Sequence, residues 1–274
     1  IPRGRRGRLG GYAAAISGVL SLGVGVWFTV GESGDRSPLF YAGLLAAGAL
    51  SWLLASALFL ALVESPGATA GGKNGWREAW RRLDLLRADR EFRRFVITRS
   101  LLLCSALTAP FYVVLARQHG GGDISLLGSF IVAGGLASSL SAPVWGRLSD
   151  RSSRRVMIVA ALLTAALGVV VFGVVRWLPG TVASGWSFSV AFFVLGIAHA
   201  GVRAGRKTYL VDLAGGVKRT DYVAVSNTII GVVLLAVGAL TSALSFLAPE
   251  VLILGLSVLG LVGAALASTL PEVE

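Results

Sequence analysis

Cysteine and histidine are almost missing from this sequence: Cys104 stands alone, and His119 and His199 are the two histidines. A lone cysteine inside an apolar run excludes a disulfide framework within the chain. No group of Cys, His, Asp and Glu has metal-ligand spacing, so the sequence predicts no metal site, no catalytic residues and no cofactor. Acids are scarce too. The 14 Asp and Glu all fall in loops, at termini or near the ends of apolar runs. Charged residues make up only 14% of the chain, and 55% is hydrophobic. Soluble domains carry about 25% charged residues. A core of this size cannot hide so much apolar side chain, so the surplus must face lipid.

What is present fits that solvent. Glycine is abundant, at 36 residues, and glycine lets membrane helices pack closely. A membrane helix needs about 20 mainly apolar residues to cross the ~30 Å hydrocarbon layer. The sequence has eight such runs: Leu9–Val30, Leu39–Val63, Phe95–Ala116, Ile124–Trp145, Val156–Trp177, Trp186–Ala204, Tyr222–Leu247 and Val251–Thr269. They are too long and too evenly apolar for the alternating strands of about 10 residues in a membrane β-barrel. The predicted fold class is all-α and polytopic, with eight transmembrane helices.

The net charge of +11 has a topological reading. Of the 25 Lys and Arg, 22 gather on one side of these spans; Arg36, Arg117 and Arg176 fall on the other. Cytoplasmic loops are enriched in Lys and Arg. The basic side is therefore expected to be cytoplasmic, with both ends of the chain there, and no nucleic-acid partner is implied. Trp27, Trp177 and Trp186 are expected at outer interfaces, and Trp145, Tyr209 and Tyr222 at inner ones. The chain opens on Ile1 and a basic stretch, without a cleavage site after its first apolar run. Residue 1 is expected to be an internal point of a longer chain.

The longest connection runs from Glu64 to Arg94. It opens with a flexible composition, Ser65 to Gly72, and continues with Trp76, Trp80 and Leu83 at helical spacing among arginines. Such a helix can lie along an anionic inner leaflet or serve as a solvated linker. The predicted organisation is two helices in 1–63, a linker in 64–95 and a six-helix bundle in 96–274. A weak echo of Arg5-Arg6-Gly7-Arg8-Leu9-Gly10 before the seventh span, Lys218-Arg219-Thr220-Asp221-Tyr222-Val223, fits a six-helix repeat.

Between the fourth and fifth spans stands Gly146-Arg147-Leu148-Ser149-Asp150-Arg151-Ser152-Ser153-Arg154-Arg155. This resembles the loop signature of the major facilitator superfamily, with Ser153 in place of the second glycine. In that family the signature lies between helices 2 and 3 and again between 8 and 9, and the long loop joins helices 6 and 7. The resemblance implies that the eight spans correspond to helices 5 to 12 of a bacterial member, with the first four helices lacking. It implies alternating-access transport of a small solute in the cell (inner) membrane, with a proton or other ion as a possible coupling partner. It also implies that Gly146, Asp150, Arg151, Arg154 and Arg155 form a cytoplasmic gate, its partner at the start of the first helix being Arg6 and Arg8. The alternatives are a transporter-shaped sensor or scaffold and, behind it, a lipid-modifying membrane enzyme.

Polar residues within a membrane bundle tend to face its interior. The candidates for the substrate path are Arg99, Ser105, Thr108, Tyr112, Phe192, His199 and Asn227. Each has a bland reading: Ser and Thr pack between helices, Arg99 and Arg203 snorkel, and Asn227 bonds a neighbouring helix. Pro110 is expected to kink the third span. Leu9–Val30 has glycines at 10, 11, 18, 23 and 25 but lacks the Gly-Pro pair of drug antiporters in this family.

Overall fold

The computed structural model describes residues 5–30, 37–61, 80, 82–120, 124–182, 186–215, 219–244 and 246–273. The linker residues 62–79 and 81 lie outside this set. The long helices are α1 (Arg6–Val30), α2 (Pro38–Leu60), α6 (Ile124–Ser149), α7 (Ser153–Trp177), α8 (Trp186–Ala214), α9 (Arg219–Ala243) and α10 (Pro249–Ser268). The third span is built from three pieces, α3 (Arg90–Leu101), α4 (Cys104–Leu107) and α5 (Ala109–Gly120). No strand occurs among the described residues. Helices satisfy every backbone group within the segment, which lipid demands of any spanning structure. The molecule is a multi-pass, all-α membrane protein.

Seven helices are long and apolar enough to cross a bilayer, against eight spans expected. The difference lies in the third span. Pro110 has no N–H to give the Ala106 carbonyl. Around it the backbone tightens into three-residue turns, Ala106 N–H to Leu103 O at 2.9 Å and Phe111 N–H to Thr108 O at 3.0 Å. The span is therefore broken twice rather than kinked once.

Local signals explain the ends. The Asp89 carboxylate accepts from Phe92 N–H at 2.9 Å and starts α3; Ser152 Oγ accepts from Arg155 N–H at 3.2 Å and starts α7. Pro38 and Pro249 open α2 and α10, where a missing N–H costs nothing.

Residues 1–31 and 76–274 form one compact unit, and 32–75 a second. The second unit holds α2, apolar on all sides, whose Ser51 and Ser56 hydroxyls donate back to the Ala47 and Trp52 carbonyls. In the first unit two apolar clusters form the core. One, near the Asp150 end, joins Phe92, Phe95, Met157, Tyr209, Tyr222 and Leu270. The other joins Tyr112, Leu115, Phe130, Phe188, Leu195 and Ile253.

The aromatics divide. Trp27, Trp177 and Trp186 are exposed, as interface residues should be. Trp145, Tyr209 and Tyr222 pack inward instead. Their polar tips reach Ile197 O at 2.9 Å, Pro271 O at 3.0 Å and an Asp89 carboxylate oxygen at 2.5 Å. A buried ring with a satisfied polar tip is a stable alternative to the interface.

Candidate functional site

The signature loop meets the first turn of α1. The first N–H groups of any helix lack intrahelical partners and carry partial positive charge. Here Asp150, in the turn that follows α6, fills that role. Its Oδ1 accepts from Gly7 N–H at 2.7 Å and its Oδ2 from Arg8 N–H at 3.1 Å. The Arg8 guanidinium adds an ion pair at 3.5 Å. The Asp150 side chain is only 3% exposed, so water competes little for these bonds. A second clamp stands beside it: Arg6 donates to Asp212 Oδ1 at 2.7 Å. Thus the start of α1 is tied to α6 by one carboxylate and to α8 by another.

Gly146 works by absence. A Cβ there would run into Gly7 O, and a Cβ on Gly7 would run into Gly146 O. The two backbones touch, which brings Asp150 within reach of α1. The close approach continues along the antiparallel pair. Gly11 faces Ala142, Gly18 faces Gly135 and Ser139, and Gly25 faces Val132. Gly11, Gly18 and Gly25 repeat every seven residues, one stripe of a helix. Ser138 Oγ donates across the seam to Ala14 O at 3.0 Å.

The remaining arginines of the loop go elsewhere. Arg154 pairs with Glu272 at 2.5 Å and donates to Leu270 O at 2.9 Å, holding the segment after α10. Arg151 and Arg155 are exposed. Arg147, outside the expected gate set, donates to Tyr12 of α1 at 3.0 Å.

Beside the seam lies a cavity of about 830 Å³ between α1, α6, α8 and the start of α9. Arg6, Arg203, Lys207 and Arg219 give it a basic lining, and Ser17, Ser21, Ser138 and Thr208 supply hydroxyls.

None of the seven expected path residues is among its described lining. Arg99 and Asn227 meet each other: Arg99 donates to Asn227 Oδ1 at 2.9 Å and to Ser226 Oγ at 2.5 Å, joining α3 to α9. Thr108 is buried at the break before α5. Tyr112 is fully buried in the second cluster, its hydroxyl unpaired among the described residues. Phe192 stacks edge-on against Phe130 with ring centroids 4.9 Å apart. His199 is half-buried on α8. The Ser105 side chain lies outside the described residues.

The sequence reading missed Asp212 as the partner of Arg6 and the serines of the cavity. Seven-residue spacing of glycine was the available signal for the seam, and Ser17, Ser21 and Thr208 fall on α1 and α8 faces beside it.

The model of the Major Facilitator Superfamily matches residues 94–274. The chain belongs to the major facilitator superfamily. A curated relative is the "Multidrug resistance protein MdtG" of Escherichia fergusonii, 28% identical over 120 residues. That match covers 43% of this chain and 28% of the relative, so it spans less than a third of the relative's length. No solved structure matches. Family membership accounts for the polytopic helical fold. Within this major facilitator chain, the Asp150 loop, the α1–α6 seam and the basic cavity lie side by side along α1.

Proposed function

We propose that the chain is the part of a secondary transporter that moves a small solute through the cell membrane by alternating access, and that Asp150 latches its cytoplasmic side. The basic loops are then cytoplasmic, 1–63 closes the first bundle, 64–95 links and 96–274 is the second bundle. The observation that carries this reading is the Asp150 carboxylate on Gly7 and Arg8 N–H. It joins a helix of the first bundle to a loop of the second with bonds that break cleanly when the two rock apart. A carboxylate on a helix N-terminus is favourable but not covalent, which suits a latch.

Two measurements test it. The first is solute uptake or efflux by vesicles carrying the full-length protein. Asp150→Asn keeps the shape and loses the charge. Hydrogen bonds to charged groups are worth about 1.5–3 kcal/mol, so transport should fall about tenfold or more at unchanged expression. Wild-type rates in that variant would remove the latch. The second is topology: reporters inserted after Arg36 and after Arg151 should report opposite compartments, and the same compartment for both would end the transport scheme.

A further inference from the structure

The cavity beside the seam has an electrostatic imbalance. Four cations line it and no carboxylate does among the described lining. Arg6 is answered by Asp212. Arg203, Lys207 and Arg219 make no ion pair among the described residues. Arg219 is the telling case, because its Nε is buried and has no hydrogen-bond partner among the described residues. Snorkelling to lipid would satisfy an exposed cation, but it leaves a buried donor unmet.

A concave site lined by one sign of charge raises the local concentration of the opposite ion. Guanidinium groups match carboxylate and phosphate oxygens in pairs. The volume of about 830 Å³ suits a drug-sized solute. Leu9 and Ala13 of α1 and Val211 of α8 add apolar surface to the lining. We propose that this cavity binds an organic anion, a phosphate or carboxylate group held by Arg203, Lys207 and Arg219 with an apolar body against α1. The proposal rests on the transporter reading and names the class of solute for it. The same chemistry is presented by an anionic lipid headgroup, and the test separates the two sources.

The full-length protein in phosphatidylcholine nanodiscs is titrated with phenyl phosphate and, separately, with trimethylphenylammonium, and thermal unfolding is followed. The expected result is a saturable rise of the midpoint with the anion and none with the cation of similar shape. Arg203→Gln/Lys207→Gln should raise the half-saturating concentration at least tenfold. Arg203→Lys, which keeps the charge and loses the paired fit, should raise it less than the double variant does, and Arg155→Gln, an exposed cation outside the cavity, should leave it unchanged. Repeating the titration with phosphatidylglycerol in the disc identifies the source. A raised baseline that depends on Arg203 and Lys207 and leaves no further response assigns the site to the headgroup. A persisting response assigns it to a soluble anion.

A response equal for both probes, none to the anion, or one untouched in the double variant overturns the proposal. If vesicles transport a solute while the anion titration is flat, the anion site falls and transport stands. If the anion binds while vesicles move nothing, transport falls and the site stands.

Discussion

Two helix seams in this protein are both made of small residues, yet they are built differently. Along α1–α6 the glycines face backbone: Gly7 meets Gly146 O, Gly11 meets Ala142 O and Gly25 meets Val132 N. Along α7–α10 and α10 against the broken span, the glycines face side chains. Gly168 meets Ser257, Gly260 meets Cys104 Sγ and Gly263 meets Leu102. A side chain can rotate away from an added methyl; a helix backbone cannot without moving the helix. The first seam is therefore all-or-none, closed or parted. The second is a packed interior that can absorb a small change. If α1 and α6 belong to the two halves of a rocking transporter, this is where a two-position contact is needed.

The strongest attempt to break this comparison is Gly11→Leu. The new side chain would meet Ala142 O and Pro143 Cα, both main-chain atoms. Overpacking costs about 1–3 kcal/mol, and a backbone obstacle puts this variant at the upper end. The seam should part. A cysteine introduced at Ser17, which lines the cavity, should then react several-fold faster with a membrane-impermeant maleimide in inside-out vesicles. Native Cys104 is buried and contributes little background. Unchanged labelling with unchanged thermal stability would mean that the backbone contact does not hold the seam.

The sequence made part of this legible. Apolar runs marked, in order, the seven helices long enough to cross a bilayer, because backbone desolvation leaves lipid-embedded segments one conformation. The third run showed its Pro110 but not its second break, since the turn at Leu102–Leu103 carries no breaker residue. The approach of Asp150 to the start of α1 was readable from a resemblance; Asp212 on Arg6 was not. That pairing depends on how α8 rotates against α1, which no local pattern encodes. The candidate path residues were chosen mainly for polarity, on the third, sixth and seventh spans. Polarity does not tell a cavity lining from a helix–helix bond, and Arg99 with Asn227 proved to be the bond. The cavity is lined largely by Gly, Ala and Ser of α1 and α6, residues too small to stand out.

A middle-sized effect sharpens the comparison from the other seam. In Gly168→Ala the new methyl would overlap Ser257 Oγ, with Ser257 Cβ and Ile253 Cγ2 both at 3.2 Å. Ser257 donates within its own helix to Ile253 O at 2.8 Å, so its hydroxyl is not free to leave without losing that bond. The single variant should lose about 1–2 kcal/mol in thermal unfolding. Adding Ser257→Ala removes the obstructing oxygen and should recover more than half of the loss. No recovery would show that the helices, and not the hydroxyl, are the obstacle, making the two seams alike.

The smallest effect is the sharpest control. Gly260 faces Cys104 Sγ at 3.1 Å and otherwise only Ala165 at 3.9 Å. A methyl at Gly260 asks the thiol to shift by a few tenths of an ångström, and a cysteine side chain turns about one bond to do so. Against that small cost stands the gain of replacing glycine inside a helix, roughly 0.8–1 kcal/mol. The two nearly cancel. Gly260→Ala should unfold within about 0.5 kcal/mol of the parent, at the scale of a substitution that touches no special feature, and its maleimide labelling at position 17 should not change. Both readouts matter, because the unfolding alone reports packing and the labelling alone reports the seam. A Gly260→Ala variant that opened the cavity as Gly11→Leu does would show that the whole bundle yields together, and the division between a rigid seam and a forgiving interior would be gone.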